Sequence, residues 1–273
     1  MIELEAKRVD GLDHYYRPIE RIEGVSSVLF WVSVLLSIAV LYSHLIPWQP
    51  LQDISMLLFA IAVVAHLLLG LFLKYHLIPI AEQKRRKQLL SNSFDVPLTP
   101  EQTRAYYNNP LAPSIRRLAA NILENSFFAK AVCGKMAVRE RAKVLIYFIV
   151  WILAALWRGT PLDILVVVTQ TVFSGDILAR WISVEVLRGR NEGLFEELYR
   201  EFLHAVDFCS PTDTACVLDA FASYEAAKSA AAIKQSTRIF TALNPELTRQ
   251  WKDICAQLKM DEGCPNKTAG GGA

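Results

Sequence analysis

Residues 25–73 read VSSVLFWVSVLLSIAVLYSHLIPWQPLQDISMLLFAIAVVAHLLLGLFL, and the only formal charge in that stretch is Asp53. A bilayer core takes about 20 apolar residues per helix, so each half of the stretch is long enough to cross one. Pro47-Trp48-Gln49-Pro50 divides the halves, because neither proline can continue a helix. So short a connection makes the two helices antiparallel neighbours. They are expected over Val25–Ile46 and Leu51–Leu73, with Trp31 and Trp48 as interfacial anchors. A secretory signal does not fit the first half. It is too long, has no small-x-small cleavage site, and runs at once into a second apolar segment.

Hydrophobic residues make up 53% of the 273, yet 21% are charged, so charge is segregated along the chain rather than scarce. Val144 to Trp157 is a second apolar region, 14 uncharged residues between Lys143 and Arg158. Gly159-Thr160-Pro161 then makes a turn, and Ile164 to Gly175 follows before Asp176. Each of these runs covers about 20 Å as a helix, short of a core of roughly 30 Å. One reading is a buried hairpin of a soluble domain. The other is a membrane pair whose ends are completed by snorkelling Lys143, Arg158 and Arg180 and by Trp157 and Trp181. The run IYFIVWIL (146–153) is apolar on every face and favours the membrane pair.

The expected fold is an all-α membrane protein of two transmembrane hairpins (four spans) with a helical cytoplasmic domain. Its segments are a cytoplasmic start (1–24), the first hairpin (25–73), a basic segment (74–143), the second hairpin (144–184), a helical C-terminal region (185–262) and a disordered tail (263–273). Lysines and arginines number 4 in residues 1–23, 13 in 74–143 and 10 in 185–273, against none in 47–53 and one in 158–163. The positive-inside rule then puts both turns outside, and the N-terminus, middle and C-terminus in the cytoplasm.

Turn residues fill Asn92 to Pro113, with Asn108-Asn109-Pro110 the strongest breaker. Ser114 is placed to cap a helix to about Ala137, with Ile115, Leu118, Ile122 and Leu123 on one face. Leu194, Leu198, Phe202 and Val206 mark an amphipathic helix. Thr212 to Leu243 reads as one long alanine-rich helix, and Asn244-Pro245 as the opening of a last helix through Trp251 and Leu258. The closing Gly-Gly-Gly-Ala (270–273) has the look of an expression scar.

No phosphate-loop, dinucleotide, zinc-protease or nucleophile-elbow motif occurs. The five histidines are scattered, and the five cysteines, an odd number, include no CxxC. They read as reduced thiols rather than a disulfide framework or a zinc site. No metal, no cofactor and no enzymatic activity is expected.

Charge is more informative. Residues 74–143 carry 13 basic and 5 acidic side chains, a segment that attracts anions. Lys84, Arg85, Arg86 and Lys87 lie just past a span, where lipid headgroups alone favour cations. That leaves Arg104, Arg116, Arg117 and Lys130 unexplained. Arg117, Asn121, Glu124 and Asn125 fall on one stripe at helical spacing. With Tyr106, Tyr107, Asn108 and Asn109 they supply the cations, amides and rings that a nucleotide or short single-stranded nucleic acid requires. The alternative is a solvated helix face beside an ordinary turn. The candidate ligand-binding set is Arg85, Arg86, Tyr106, Tyr107, Asn108, Asn109, Arg116, Arg117, Asn121 and Asn125.

The fourth apolar run is the polar one, with Thr169, Gln170, Thr171 and Ser174 ahead of Asp176. An ionisable group in lipid costs at least ~2.5 kcal/mol, which makes it a functional candidate. Gln170, Ser174 and Asp176 would line a water-filled pore. Alternatively Asp176 pairs with Arg180 and the hydroxyls join helices. His66, midway along the second helix, reads as an interhelical hydrogen bonder.

The order of features carries a resemblance. Two spans are followed by Lys84-Arg85-Arg86, Asn92-Ser93-Phe94-Asp95, Tyr106-Tyr107-Asn108-Asn109 and Glu124-Asn125-Ser126-Phe127-Phe128, then two further spans and a helical tail. Over residues 25–205 this resembles the bacterial four-transmembrane effectors encoded beside nucleotidyltransferases in anti-phage defence, and among them the channel-forming Hailong-type effector. The resemblance implies a homo-oligomeric, tetrameric ion channel in the lipid bilayer of the bacterial inner membrane. It also implies a nucleotidyltransferase as functional partner, and a nucleotide or short single-stranded DNA oligomer that controls the gate. Opening would depolarise the cell and arrest growth. The rivals are a small transporter, which should show internal repeats, and a non-conducting anchor or assembly partner.

Overall fold

A computed structural model describes residues 9–43, 49–101, 103–104, 106–156, 175–204, 208 and 210–260. Of the expected turn at 47–50, Gln49 and Pro50 are already helical, while residues 47–48, the turn at 158–163, the run from 164 to 174 and the tail from 261 lie outside the described residues.

Among the described residues every element is helical except one antiparallel pairing of two-residue strands, β1 (Val9–Asp10) and β2 (Thr103–Arg104). The helices are α1 (Asp13–Ser43), α2 (Gln49–Phe72), α3 (Ile78–Phe94), α4 (Ile115–Leu156), α5 (Gly175–His204), α6 (Pro211–Ala231) and α7 (Thr237–Gln257). A π-helical turn, Leu73–Leu77, joins α2 to α3 without a break. Pro79 explains it: with no N–H and a ring that collides with the carbonyl four residues back, it widens the ladder just ahead of itself.

Several helices run past their expected ends. α1 begins at Asp13, twelve residues before the apolar run. Ser114 does cap α4, its Oγ accepting the Arg117 N–H at 3.2 Å. That helix continues beyond Ala137 to Leu156, roughly 63 Å in all. The expected helix over Thr212–Leu243 is instead two. Ala232 turns left-handed at φ 46°, and Ser236 caps α7 by accepting the Ile239 N–H. Asn244-Pro245 therefore starts nothing, and Pro245 sits inside α7. An interior proline costs about 3 kcal/mol. Burial of Ile239, Leu247, Trp251 and Cys255 along the same helix offsets that cost.

The core lies on one side. Leu118, Ile122, Leu123 and Phe127 of α4 pack with Leu194 and Leu198 of α5, Val217 and Tyr224 of α6, and Trp251 of α7. Farther along the same α4, Leu145, Ile149 and Leu153 are exposed. Val28 and Leu35 of α1 and Leu57, Ile61 and Leu67 of α2 are exposed too. Among the described residues one helix, Gln52–Phe94, is long and apolar enough to cross a membrane, with only 11% of its apolar window buried. His66 on it bonds α1 through Nδ1, 3.0 Å from both the hydroxyl and the carbonyl of Ser26.

Candidate functional site

The N-terminal parts of α1 and α3 border, with the end of α6 and the start of α7, a cleft of about 570 Å³. Helical spacing puts Tyr16 and Glu20 on one face of α1, Glu82 and Arg85 on α3, and Tyr224 and Lys228 on α6. Tyr106 enters from the loop before α4, Asn125 and Phe128 from α4, and Lys234 and Phe240 from the chain around α7's start. Four cations (Arg17, Arg85, Lys228, Lys234) meet three carboxylates (Asp13, Glu20, Glu82) and five aromatic rings.

Arg85 is the centre of this arrangement. Its guanidinium carbon lies 5.2 Å from the Tyr16 ring centroid and 4.8 Å from that of Tyr106. Lys234 approaches the Tyr16 ring at 5.8 Å and pairs with Glu20, which also accepts the Thr237 hydroxyl at 2.9 Å. Those hydrogen bonds, from Lys234 first and Thr237 next, hold the Glu20 carboxyl below its ordinary range. Burial pushes the Tyr16 and Tyr224 phenols well up, so both stay neutral. Lys228 is nearly enclosed, which works against its charge. Glu82 at 2.5 Å, Tyr224 and Glu225 at 3.4 Å outweigh that, and the amine is held protonated. The cleft thus presents fixed cations beside neutral phenol rings.

Of the ten expected ligand residues, Arg85, Tyr106 and Asn125 line this cleft. Arg86 faces a second groove beside it. Tyr107 turns inward, where burial raises its phenol and its oxygen accepts the Asn125 amide at 3.2 Å. Asn108 donates its backbone N–H (3.0 Å) and its amide (2.6 Å) to Glu124, and its carbonyl accepts the Trp251 indole N–H at 3.2 Å. Asn109 donates to the Asn121 carbonyl oxygen at 2.8 Å, and Asn121 donates to Asn92 and Ser93. Asn108, Asn109 and Asn121 are therefore joined to one another's surroundings, not to the cleft. Arg116 is buried and Arg117 half-buried in the first turn of α4, and neither lines the cleft.

No family model, no curated protein and no solved structure matches this chain.

Of the expected pore residues, Gln170 and Ser174 lie outside the described residues; Asp176 opens α5, and its side chain lies outside them too. Arg180 meets Glu140 at 3.5 Å and Glu23 at 3.9 Å, tying α5 to α4 and α1. Sequence reasoning passed over Tyr16, Glu20, Tyr224, Lys228 and Lys234. Tyr16/Glu20 and Tyr224/Lys228 were visible as pairs four apart, but nothing in the sequence brings α1 and α6 together.

Proposed function

We propose that this chain is the subunit of a ligand-gated ion channel in a bacterial inner membrane. Two transmembrane hairpins hold it there, with both termini in the cytoplasm. The ligand is anionic and carries stackable rings, a nucleotide or short single-stranded DNA oligomer, and it occupies the Arg85 cleft. One observation carries the reading: Arg85 sits against Tyr16 and Tyr106 on α3, the helix continuous with the apolar span from Gln52. A guanidinium offers phosphate a fork of donors, and the tyrosines offer bases a face. The exposed apolar faces of α1, α2 and α4 support the membrane placement.

A ligand can move a gate only by binding one state better than the other. Drawing Arg85 and Tyr16 together favours one arrangement of α1 against α3, and both helices lead into the bilayer. From the resemblance we take the remainder: a tetramer, pore lining by Gln170, Ser174 and Asp176, a nucleotidyltransferase as the ligand's source, and depolarisation as the defence.

The experiment is potassium flux from liposomes holding the full chain, with and without nucleotides and short oligonucleotides. Flux that responds to ligand, and loses the response in Arg85→Ala, supports the proposal. Ligand binding without any flux would make the chain a non-conducting sensor instead.

A further inference from the structure

We infer that a second groove, behind the Glu82–Lys228 pair, holds the phosphate headgroup of an anionic phospholipid. The inference rests on the membrane placement proposed above, but not on the channel activity or on the ligand of the first cleft.

Glu82 and Lys228 line both cavities, so their ion pair is a shared wall. The second cavity, of about 370 Å³, is bounded by the π-helical turn and the start of α3 on one side and by the end of α6 on the other. Its cations are Lys74, Arg86 and Lys228, with His76 beside them. Its carboxylates, Glu82 and Glu225, are both held by Lys228, at 2.5 and 3.4 Å. Lys74 and Arg86 are exposed, and with Lys228 they make three cations against two carboxylates, so the groove keeps a net positive charge.

The position of the groove selects a lipid over a soluble anion. It begins at Lys74, where the outward-facing apolar helix ends: Leu71 and Phe72 are exposed on one side of that boundary, and Tyr75, 70% exposed, on the other. Acyl chains would run along Leu71 and Phe72 while the phosphate meets Lys74 and Arg86. A tyrosine ring at that level is the usual companion of headgroups. The cations are also placed by the fold rather than by chain proximity, since Lys74 and Arg86 lie about three turns apart along one continuous helix and Lys228 joins them from α6.

The test is native mass spectrometry of the full chain released from vesicles of phosphatidylcholine mixed with phosphatidylglycerol, after flotation shows that it is vesicle-bound. The wild type should retain phosphatidylglycerol in preference to phosphatidylcholine. That preference should fall about fivefold for each of Lys74→Gln and Arg86→Gln. It should hold in Lys135→Gln/Arg139→Gln, which removes two exposed cations of α4 outside the groove. Equal retention of both lipids, or an equal loss in the Lys135/Arg139 variant, would overturn the site while leaving the membrane placement intact. Displacement of the lipid by millimolar inorganic phosphate would overturn the choice of a lipid as the occupant. Failure to float would remove the membrane placement itself, and the inference with it.

Discussion

In the loop before α4, Asn108 gives its N–H and its amide to Glu124, and Asn109 gives its amide to Asn121. In the cleft a few residues away, Arg85 lies against two tyrosine rings that border about 570 Å³ of open space. Both regions are built of amides, cations and aromatic rings. The first uses them to close the fold, since the Asn108 and Asn109 amides are held by Glu124 and Asn121, both buried. The second holds the Arg85 guanidinium between the Tyr16 and Tyr106 rings, and all three line a cavity. Composition alone does not separate a structural polar network from a binding surface. What separates them is whether a cavity large enough for a ligand adjoins the groups.

The difference can be broken from either side. The largest effect is expected in the loop: Glu124→Ala removes the buried carboxylate that holds the Asn108 N–H and amide, and should cost about 3 kcal/mol of stability. Thermal unfolding in detergent would measure that loss, while the folded fraction keeps its ligand affinity. Arg85→Ala should do the reverse. Loss of a charge-assisted contact weakens ligand binding about ten- to a hundredfold, by fluorescence titration, with unfolding nearly unchanged.

Neighbouring tyrosines sharpen the contrast. Tyr107→Phe removes the oxygen that accepts the Asn125 amide and should cost about 1 kcal/mol of stability. Tyr106→Leu should leave unfolding almost untouched and weaken binding through lost stacking.

The smallest effect is a pH dependence. The Tyr15 hydroxyl at 2.7 Å, followed by backbone and Lys84 contacts, holds the Glu101 carboxyl at about 2. In the unfolded chain that group titrates near its ordinary value, about 4.3. The contact therefore stabilises the fold fully above that value and fades as pH falls toward about 2. Solvent limits it to less than about 1 kcal/mol. Unfolding compared at pH 6 and pH 3 should show the loss, and Tyr15→Phe should remove most of the difference.

The apolar runs, the Ser114 cap and the break at Asn108–Pro110 were legible because each depends on local chemistry. The break at Ala232 was not. An alanine-rich stretch has strong helix propensity throughout, and it is the burial of Ile239 and Trp251 that turns the chain back. The site was legible only in part for the same reason. Arg85, Tyr106 and Asn125 stand in the basic segment, whereas Tyr16, Lys228 and Lys234 come from distant helices that only tertiary packing brings to them.

The most direct measurement is the affinity of a fluorescent short single-stranded DNA oligomer for the full chain in lipid nanodiscs, taken for the wild type and Arg85→Ala under one salt condition. Tight binding by the wild type and a drop of at least tenfold in the variant is the predicted result. Equal affinity in the two proteins, with both correctly inserted, would contradict the assignment of the cleft.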